Sequence, residues 1–549
     1  MRYIGIGDGH DGAANISGGG NIVNSYAACT GTVNTKTVTT ALSVSVGDYV
    51  LLHQSRKSPS GAGAGEMVKV EATGSGNFTA DRSLANTYVT GAQAVLVPQY
   101  TSGTINGTLT GTAWNGTIGG IVVLACNGTL TISGGIIEAG GIGYRGQASS
   151  IDGGINIHGY QGEYEAGTGT QDRGALAQAG GGGSSADGGG GGGGGGHVNA
   201  GSNGQFAPIN YGYGGYGGYG TADLSTALFG GAGGTGGPHS NTGQKYGGGG
   251  NGGGLIILFV KTLVTASLWG SGGNNGGAQT RVSGDDATQG SGSGGGGAGG
   301  SILVYSQSAT LGTNLIVAPG GTAPVAYNAT ATLTTTGGNG SVGRITIYYD
   351  SSISGSTNPT YSGYNVDFDA VLTTTAASSI TAVSAASGGN ITQLGYNEEW
   401  ATQYGICWNT AGTPTIADPK TELGPKTSTG SFTSNLTGLI ASTTYYIRSY
   451  VTTTYGTYYG AQQSFTTLSD TTTSSSTSSS TTSTSSSTST TTSTSSSTTS
   501  TSTSTTSTSS STTSTSSSTT STSTSSTTSS STSTSTTIEY LRMTIEEVK

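Results

Sequence analysis

The sequence predicts an all-β protein: a β-solenoid or stacked β-sheet carrying glycine-rich insertions, then a β-sandwich and a disordered Ser/Thr tract. Three observations lead there. Short Val- and Leu-rich runs bounded by turn residues recur, and no helical 3.6-residue period survives more than a turn. A strand–turn–strand unit bracketed by glycine pairs repeats through the middle of the chain. Finally, only 32% of the 549 residues are apolar and 8% charged, and 103 are glycine; ordinary globular domains have roughly half and a quarter. One large core throughout is excluded, so much of the backbone is held by its own hydrogen bonds or stays unfolded.

Residues 1–117 read as an N-terminal β domain, with apolar runs at 43–52, 66–71 and 94–97 separated by turns at 58–65 and 73–76. Residues 118–350 carry the repeat. Its copies are GGIVVLACNGTLTISGGIIEAGG from Gly119, GGLIILFVKTLVTASLWGSGG from Gly253 and GGSILVYSQSATLGTNLIVAPGG from Gly299, with a truncated VGRITIYYD from Val342. Each unit is too short to bury its own face, so stacking must supply the core. Between the copies lie glycine tracts at 180–196, 247–254 and 292–300, and a Gly-Gly-Tyr stretch at 211–220. A period of three without proline fits an extended helix of three residues per turn, as in polyproline II. A flexible glycine loop is the alternative. The tracts run directly into the repeated strands, which suits packed glycine helices better than free linkers.

Residues 351–377 read as a linker and 378–468 as a second β domain. There Leu439 precedes Tyr445 by six residues, and Ile447 and Val451 fall in phase with an inward face, where Ser449 departs from the usual apolar choice. This segment, about a sixth of the chain, resembles fibronectin type III-like domains of prokaryotic and phage surface proteins. The resemblance implies that the Tyr445 hydroxyl caps backbone at a strand edge, and that the domain is a spacer or interaction module without an active site. Residues 469–537 form the Ser/Thr tract; with nothing apolar to bury, it is expected to be unfolded, its ends roughly 45 Å apart as a coil. The short tail 538–549 has Leu541, Ile545 and Val548 on one face of a marginal helix.

Chemistry is sparse. A formal charge of −9, with Lys36, Arg56, Lys57 and Lys69 scattered, argues against nucleic acid as a partner. No run approaches the roughly 18 apolar residues of a membrane span. The N-terminus lacks the basic and apolar regions of a secretory signal, as expected of a protein that leaves the cell within a virion. Cys29, Cys126 and Cys407 are too few and too far apart for a disulfide framework and are expected to be buried or free thiols. GxGxxG matches at Gly7 and Gly141 open no helix and arise by chance in so glycine-rich a chain. Asp8, His10 and Asp11 make a polar turn rather than a calcium loop. Glycoside hydrolysis would need two carboxylates facing one bond. Asp152, Glu163, Glu165 and Asp172, with His158 nearby, are the candidates, and solvated loop acids are the better account of them. The histidines never approach a metalloprotease or triad spacing. No enzyme, metal or cofactor is expected.

Binding has a clearer signal. Tyrosine accounts for 28 residues and phenylalanine for 7, a balance that favours surfaces over cores. Tyr160, Tyr164, Tyr211, Tyr213, Tyr216, Tyr219 and Tyr246 lie in or beside the insertions, where tyrosine gives rigid contact area and glycine an adaptable backbone. The insertion pattern resembles the glycine-rich tip adhesins of tailed phages, in which variable loops are displayed from packed polyglycine-type helices. It implies a tail-fibre or receptor-binding protein whose partner is a host surface glycan or outer-surface protein, with other virion tail proteins as neighbours. A bacterial surface adhesin or stalk and a polysaccharide-depolymerising tailspike are the rival expectations.

Overall fold

The computed structural model describes residues 6–57, 61–148, 158–183, 190–205, 212–237, 246–273, 292–323, 325–327, 334–395, 401–453 and 456–470. The expectations for Tyr211, Asp152, the Ser/Thr tract and the C-terminal tail fall outside them. Every regular element among the described residues is a β-strand.

The repeat organises the molecule. Its four long strands, Ile121–Ile132, Leu255–Thr265, Ser301–Val317 and Arg344–Asn358, pair side by side and parallel. Their register aligns the residue that follows the glycine pair, or Val342-Gly343 in the truncated copy: Ile121 with Leu255, Leu255 with Ser301, Ser301 with Arg344. Equivalent repeat positions therefore stack, and alternate side chains go to opposite faces. Ile121, Val123, Leu255, Ile257, Phe259, Leu303 and Tyr305 enter one core; Val122, Leu124, Ile256, Leu258, Ile302 and Val304 enter the other. Both faces are covered, which is why these strands read as continuous apolar runs rather than alternating ones. The short second strands build a companion ladder, Glu138 beside Gly270 and Gly270 beside Val317. Ile137, Trp269 and Ile316 close the second core from that side. On the first face Phe259, Tyr305, Tyr348 and Tyr364 stack nearly parallel at 5.3, 4.7 and 5.1 Å.

The N-terminal part holds a closed barrel of Tyr26–Gly31, Thr37–Thr40, Asn77–Ala80, Gly65–Gly74, Tyr49–Gln54 and Ala92–Val97. Tyr49 and Leu51 face the first core of the parallel sheet, while Val50 and Leu52 fill the barrel, so this strand is buried throughout. Other strands from the first 117 residues, Ala13–Ile16, Ser102–Ile105 and Thr108–Thr110 among them, join the parallel sheet itself. The expected linker 351–377 is corrected: it contains the end of Arg344–Asn358, the edge strand Ser362–Asn365 and most of Val371–Ser378. Its Ser362–Asn365 pairs with Thr346–Tyr349, and the Val- and Thr-rich Val371–Ser378 has the composition of a strand.

Val371–Ser378 opens a sandwich of a three-stranded and a four-stranded antiparallel sheet. The Tyr445 hydroxyl accepts the Ile440 amide at 3.0 Å, beside buried Leu439, Ile447 and Val451. Buried Ser449 is explained by Thr374, whose hydroxyl lies 3.1 Å from its Oγ and accepts its amide at 2.9 Å.

Between the strands, the glycine tracts bond to one another with a register of three. In residues 230–237, the amides of Gly230, Gly233 and Gly236 donate to Gly253, Gly250 and Gly247. Gly231, Gly234 and Gly237 donate to Gly196, Gly193 and Gly190, and Ala232 and Thr235 to Glu163 and Tyr160. The carbonyls of Gly231, Gly234 and Gly237 accept from Ala298, Gly295 and Gly292, and those of Ala232 and Thr235 from Gly180 and Gly183. Every third residue addresses the same neighbour, so one tract serves several neighbours around its circumference; a strand would alternate every second residue between two. A Cβ at Gly234 would overlap the carbonyl oxygen of Gly181, one at Gly193 that of Tyr213, and one at Gly295 that of Gly193. Glycine is thus required here for the space it leaves, not for backbone freedom.

Gly234→Ala is expected to destabilise the protein by about 1–3 kcal/mol, the usual cost of overpacking. Gly19→Ala, at a position with nothing within 4 Å, is expected to be neutral. Differential scanning calorimetry of the two variants beside the parent chain checks this.

Candidate functional site

The tyrosines separate into those the structure presents and those it uses. Tyr213 and Tyr216 lie in a tract where their two amides address one neighbouring segment, Tyr213 to Arg173 at 2.9 Å and Tyr216 to Ala177 at 2.7 Å, while those of Gly212 and Gly215 address another, at Gly191 and Gly194. Their side chains are exposed, by 42% and 61%. The register breaks at Gly218 (φ +85°) and Gly220 (φ +71°), and Tyr219 turns inward to a half-buried position, its amide on His197. Burial, then the charge of Glu165, then Tyr216 and Tyr164 push the Tyr219 phenol up. Glu165 and Tyr164, far from Tyr219 in sequence, thus lie near it in the fold. Tyr160 is half-buried, with its amide on the Thr235 hydroxyl at 2.7 Å. Tyr246 is corrected: it is only 1% exposed, because its tract lies inside the glycine body, and it cannot meet a partner.

Beneath this patch the expectation of solvated acids fails. Glu163 is buried and sits in a clasp assembled from distant parts of the chain. Its Oε1 is ion-paired with Arg56 Nη2 and accepts from Trp114 Nε1 and Arg145 Nη2, each at 3.3 Å. Its Oε2 accepts the Arg145 amide at 2.8 Å and Nε at 3.0 Å. Arg56 also donates through Nε to the Gly116 carbonyl at 3.1 Å and lies over the Trp114 ring. Trp114, Tyr144 and Phe229 pack edge to face around it. Two guanidiniums and an indole satisfy one carboxylate, which is how a buried charge is tolerated. Glu165 is buried too; desolvation holds its carboxyl above the usual range, and its Oε2 has no hydrogen-bond partner among the described residues. Asp172 is exposed as expected, and His158 half-buried.

Two histidines that drew no attention in the sequence grip successive carbonyls of the segment entering tract 230–237. His53 Nε2 donates to the Ala227 carbonyl at 2.9 Å, and its Nδ1 accepts from the Ser55 hydroxyl at 2.8 Å. His197 Nε2 lies 3.3 Å from the Leu228 carbonyl and 3.2 Å from the Ser301 hydroxyl. Both rings are buried, and desolvation holds each pKa down at about 4.

The Asp8–His10–Asp11 turn is a local ion-paired knot: His10 Nδ1 is 2.7 Å from Asp8, and its Nε2 3.6 Å from Asp48 and 3.7 Å from Asp11. Among the described residues no group of three or more His, Cys, Asp or Glu side chains is placed to hold a metal ion. The three cysteines are free and buried.

No protein-family model matches the chain, and no curated protein matches it. Among solved structures it is similar to the sensor domain of the anti-sigma factor RsgI4 of Pseudobacteroides cellulosolvens, at 20% identity over 18% of this chain and 95% of that one, TM-score 0.15. It is also similar to the chicken CNTN1 FN1–FN3 domains, at 12% identity over 25% and 41%, TM-score 0.14. The tailspike gp49 of Pseudomonas phage LKA1 is similar at 12% identity over 85% and 90%, TM-score 0.13. Likeness this slight carries no argument about fold or function.

Glu163→Gln leaves two guanidiniums facing a neutral amide in a buried site, and a loss of about 3–5 kcal/mol is expected; denaturant titration of the variant against the parent measures it. Acid is expected to weaken the fold through His53 and His197. Both are neutral when folded and protonate below about 6.5 when unfolded. Their contribution is therefore complete above that pH and falls away down to about 4, by roughly 3 kcal/mol for each histidine. Urea midpoints at pH 7 and pH 4.5 report the loss, and His53→Gln should make the pH dependence shallower.

Proposed function

We propose that this chain is a non-enzymatic attachment protein of a virion surface, a phage tail fibre or receptor-binding adhesin that recognises a host surface glycan or outer-surface protein. One observation carries the reading: Tyr213 and Tyr216 stand exposed on a backbone hydrogen-bonded into a body of neighbouring glycine tracts. Aromatic side chains fixed by a rigid scaffold lose little entropy on contact, and such anchors dominate recognition surfaces.

In this reading the tracts are polyglycine II-like helices, whose three-residue turn matches the hydrogen-bond register. The stacked repeat is a solenoid-like base for them, the fibronectin type III-like sandwich a spacer, and the Ser/Thr tract the tether its composition suggests. The negative charge keeps nucleic acid out of the proposal, and no cofactor enters it. The depolymerase alternative is disfavoured because Glu163, its best-placed carboxylate, is occupied by Arg56 and Arg145. Nothing observed favours a bacterial surface adhesin or stalk over the virion protein.

Replacing Tyr213, Tyr216 and Tyr219 together by Ser is expected to leave the melting temperature within about 2 °C. Adsorption to target cells should fall at least tenfold. Unchanged adsorption by a folded variant would remove the tyrosines from recognition.

A further inference from the structure

Resting on the attachment reading, the tyrosine edge says something further about the partner. Tyr213 and Tyr216 are three residues apart in a tract whose amides at those two positions turn to the same neighbour. Both side chains consequently leave the body on one side. At the rise of an extended threefold helix their Cα atoms stand about 9 Å apart. The residues between them are Gly214 and Gly215, and Gly217 and Gly218 follow, so the tract itself puts no side chain between the platforms; the Asn203 side chain reaches in to accept the Gly214 amide at 2.8 Å. The tract cannot shift to adapt. The Tyr213 carbonyl accepts from Gly181, and a Cβ at Gly193 would meet that carbonyl and one at Gly196 that of Tyr216.

A folded protein partner gains affinity by filling pockets with anchors, and this edge offers no pocket between its rings. It offers two exposed aromatic side chains at a fixed interval, on a backbone whose amides between them are already bonded to Asn203, Gly194 and Ala177. Charge narrows the choice. The bonded neighbour contributes Asp172 and Arg173, one charge of each sign, and Glu165 lies close to Tyr219. Arg344 donates to the Tyr219 carbonyl at 3.2 Å, so the charges that the described residues bring near this edge are of both signs, unlike the cationic clusters that hold a carboxylate, sulfate or phosphate.

We infer that the Tyr213–Tyr216 edge binds an extended neutral polysaccharide, with alternate sugar rings stacked on the two tyrosines. The interval is close to two hexose units of an extended chain. Stacking of the apolar sugar faces on the two rings carries the contact, and no charged side chain is needed.

The test is affinity electrophoresis of the full chain in gels containing hydroxyethylcellulose, soluble β-1,3-glucan, mannan or dextran, with polygalacturonate as the anionic comparison. Retardation by at least one neutral polymer and none by polygalacturonate is expected. Tyr216→Gln should weaken the retarding interaction about thirtyfold, whereas Tyr216→Trp, which keeps a flat apolar face, should retain it. Failure of all four neutral polymers to retard the parent chain overturns the inference, as does stronger retardation by polygalacturonate or equal binding by Tyr216→Gln. Should those failures coincide with a loss of cell adsorption in the triple serine variant, attachment through the tyrosines stands and a glycan as its target falls.

Discussion

The structure depends on how closely two backbones can approach when neither carries a Cβ. Carbonyl oxygens of one glycine tract occupy the space where a side chain of the next would begin. That approach lets peptide groups bond to several neighbours at once, and it replaces the apolar burial the composition cannot supply. The backbone groups of residues 230–237 find partners in five surrounding segments. Buried peptide groups left unpaired are costly, so a glycine body of this kind is stable only if it is nearly complete. Ala232 and Ala298, both buried within it, mark where a methyl group still fits.

The glycine body is not self-supporting in the sequence; it is launched from and returned to the parallel sheet. Each repeat enters its long strand directly from glycine, and the common register of Ile121, Leu255, Ser301 and Arg344 sets the tracts side by side. The aromatic stack from Phe259 to Tyr364 reinforces that register, since a slip of one residue would send each ring to the opposite face. The barrel is joined to this assembly by polar fastenings: His53 on the Ala227 carbonyl and Arg56 on Glu163. Such fastenings contribute less net stability than apolar contact of equal area, but they fix orientation.

The all-β class and the repeated unit were legible because each rests on local pattern, glycine pairs and apolar runs; the backbone cap by Tyr445 followed from the family resemblance of its segment. The threefold register was legible as a period in the Gly-Gly-Tyr stretch, but its choice over a flexible loop needed neighbours that only the fold brings together. Glu163 could not be read correctly at all. Its partners Arg56, Trp114 and Arg145 come from three separate stretches, and nothing in the local Glu-Tyr-Glu pattern distinguishes a clasped carboxylate from a solvated one. Tyr246 was misread for a related reason: beside a glycine tract, burial is decided by whether that tract is central or peripheral, and composition is the same in both. His53 and His197 gave no signal because a buried neutral histidine has no motif.

The threefold register also governs how such a protein can change over generations. In a tract where every third residue faces the same neighbour, inserting or deleting three residues returns those that follow to the same neighbours. A change of one or two residues turns their amides away from the carbonyls they address. Length variation in the glycine body is thereby quantised, and triplets that carry one tyrosine among glycines are its natural unit. Duplicating such a triplet would add one more aromatic platform in line with Tyr213 and Tyr216 without disturbing the body beneath. An edge of this kind can be lengthened or shortened in steps, while the point substitutions through which most protein surfaces diversify are closed to its interior.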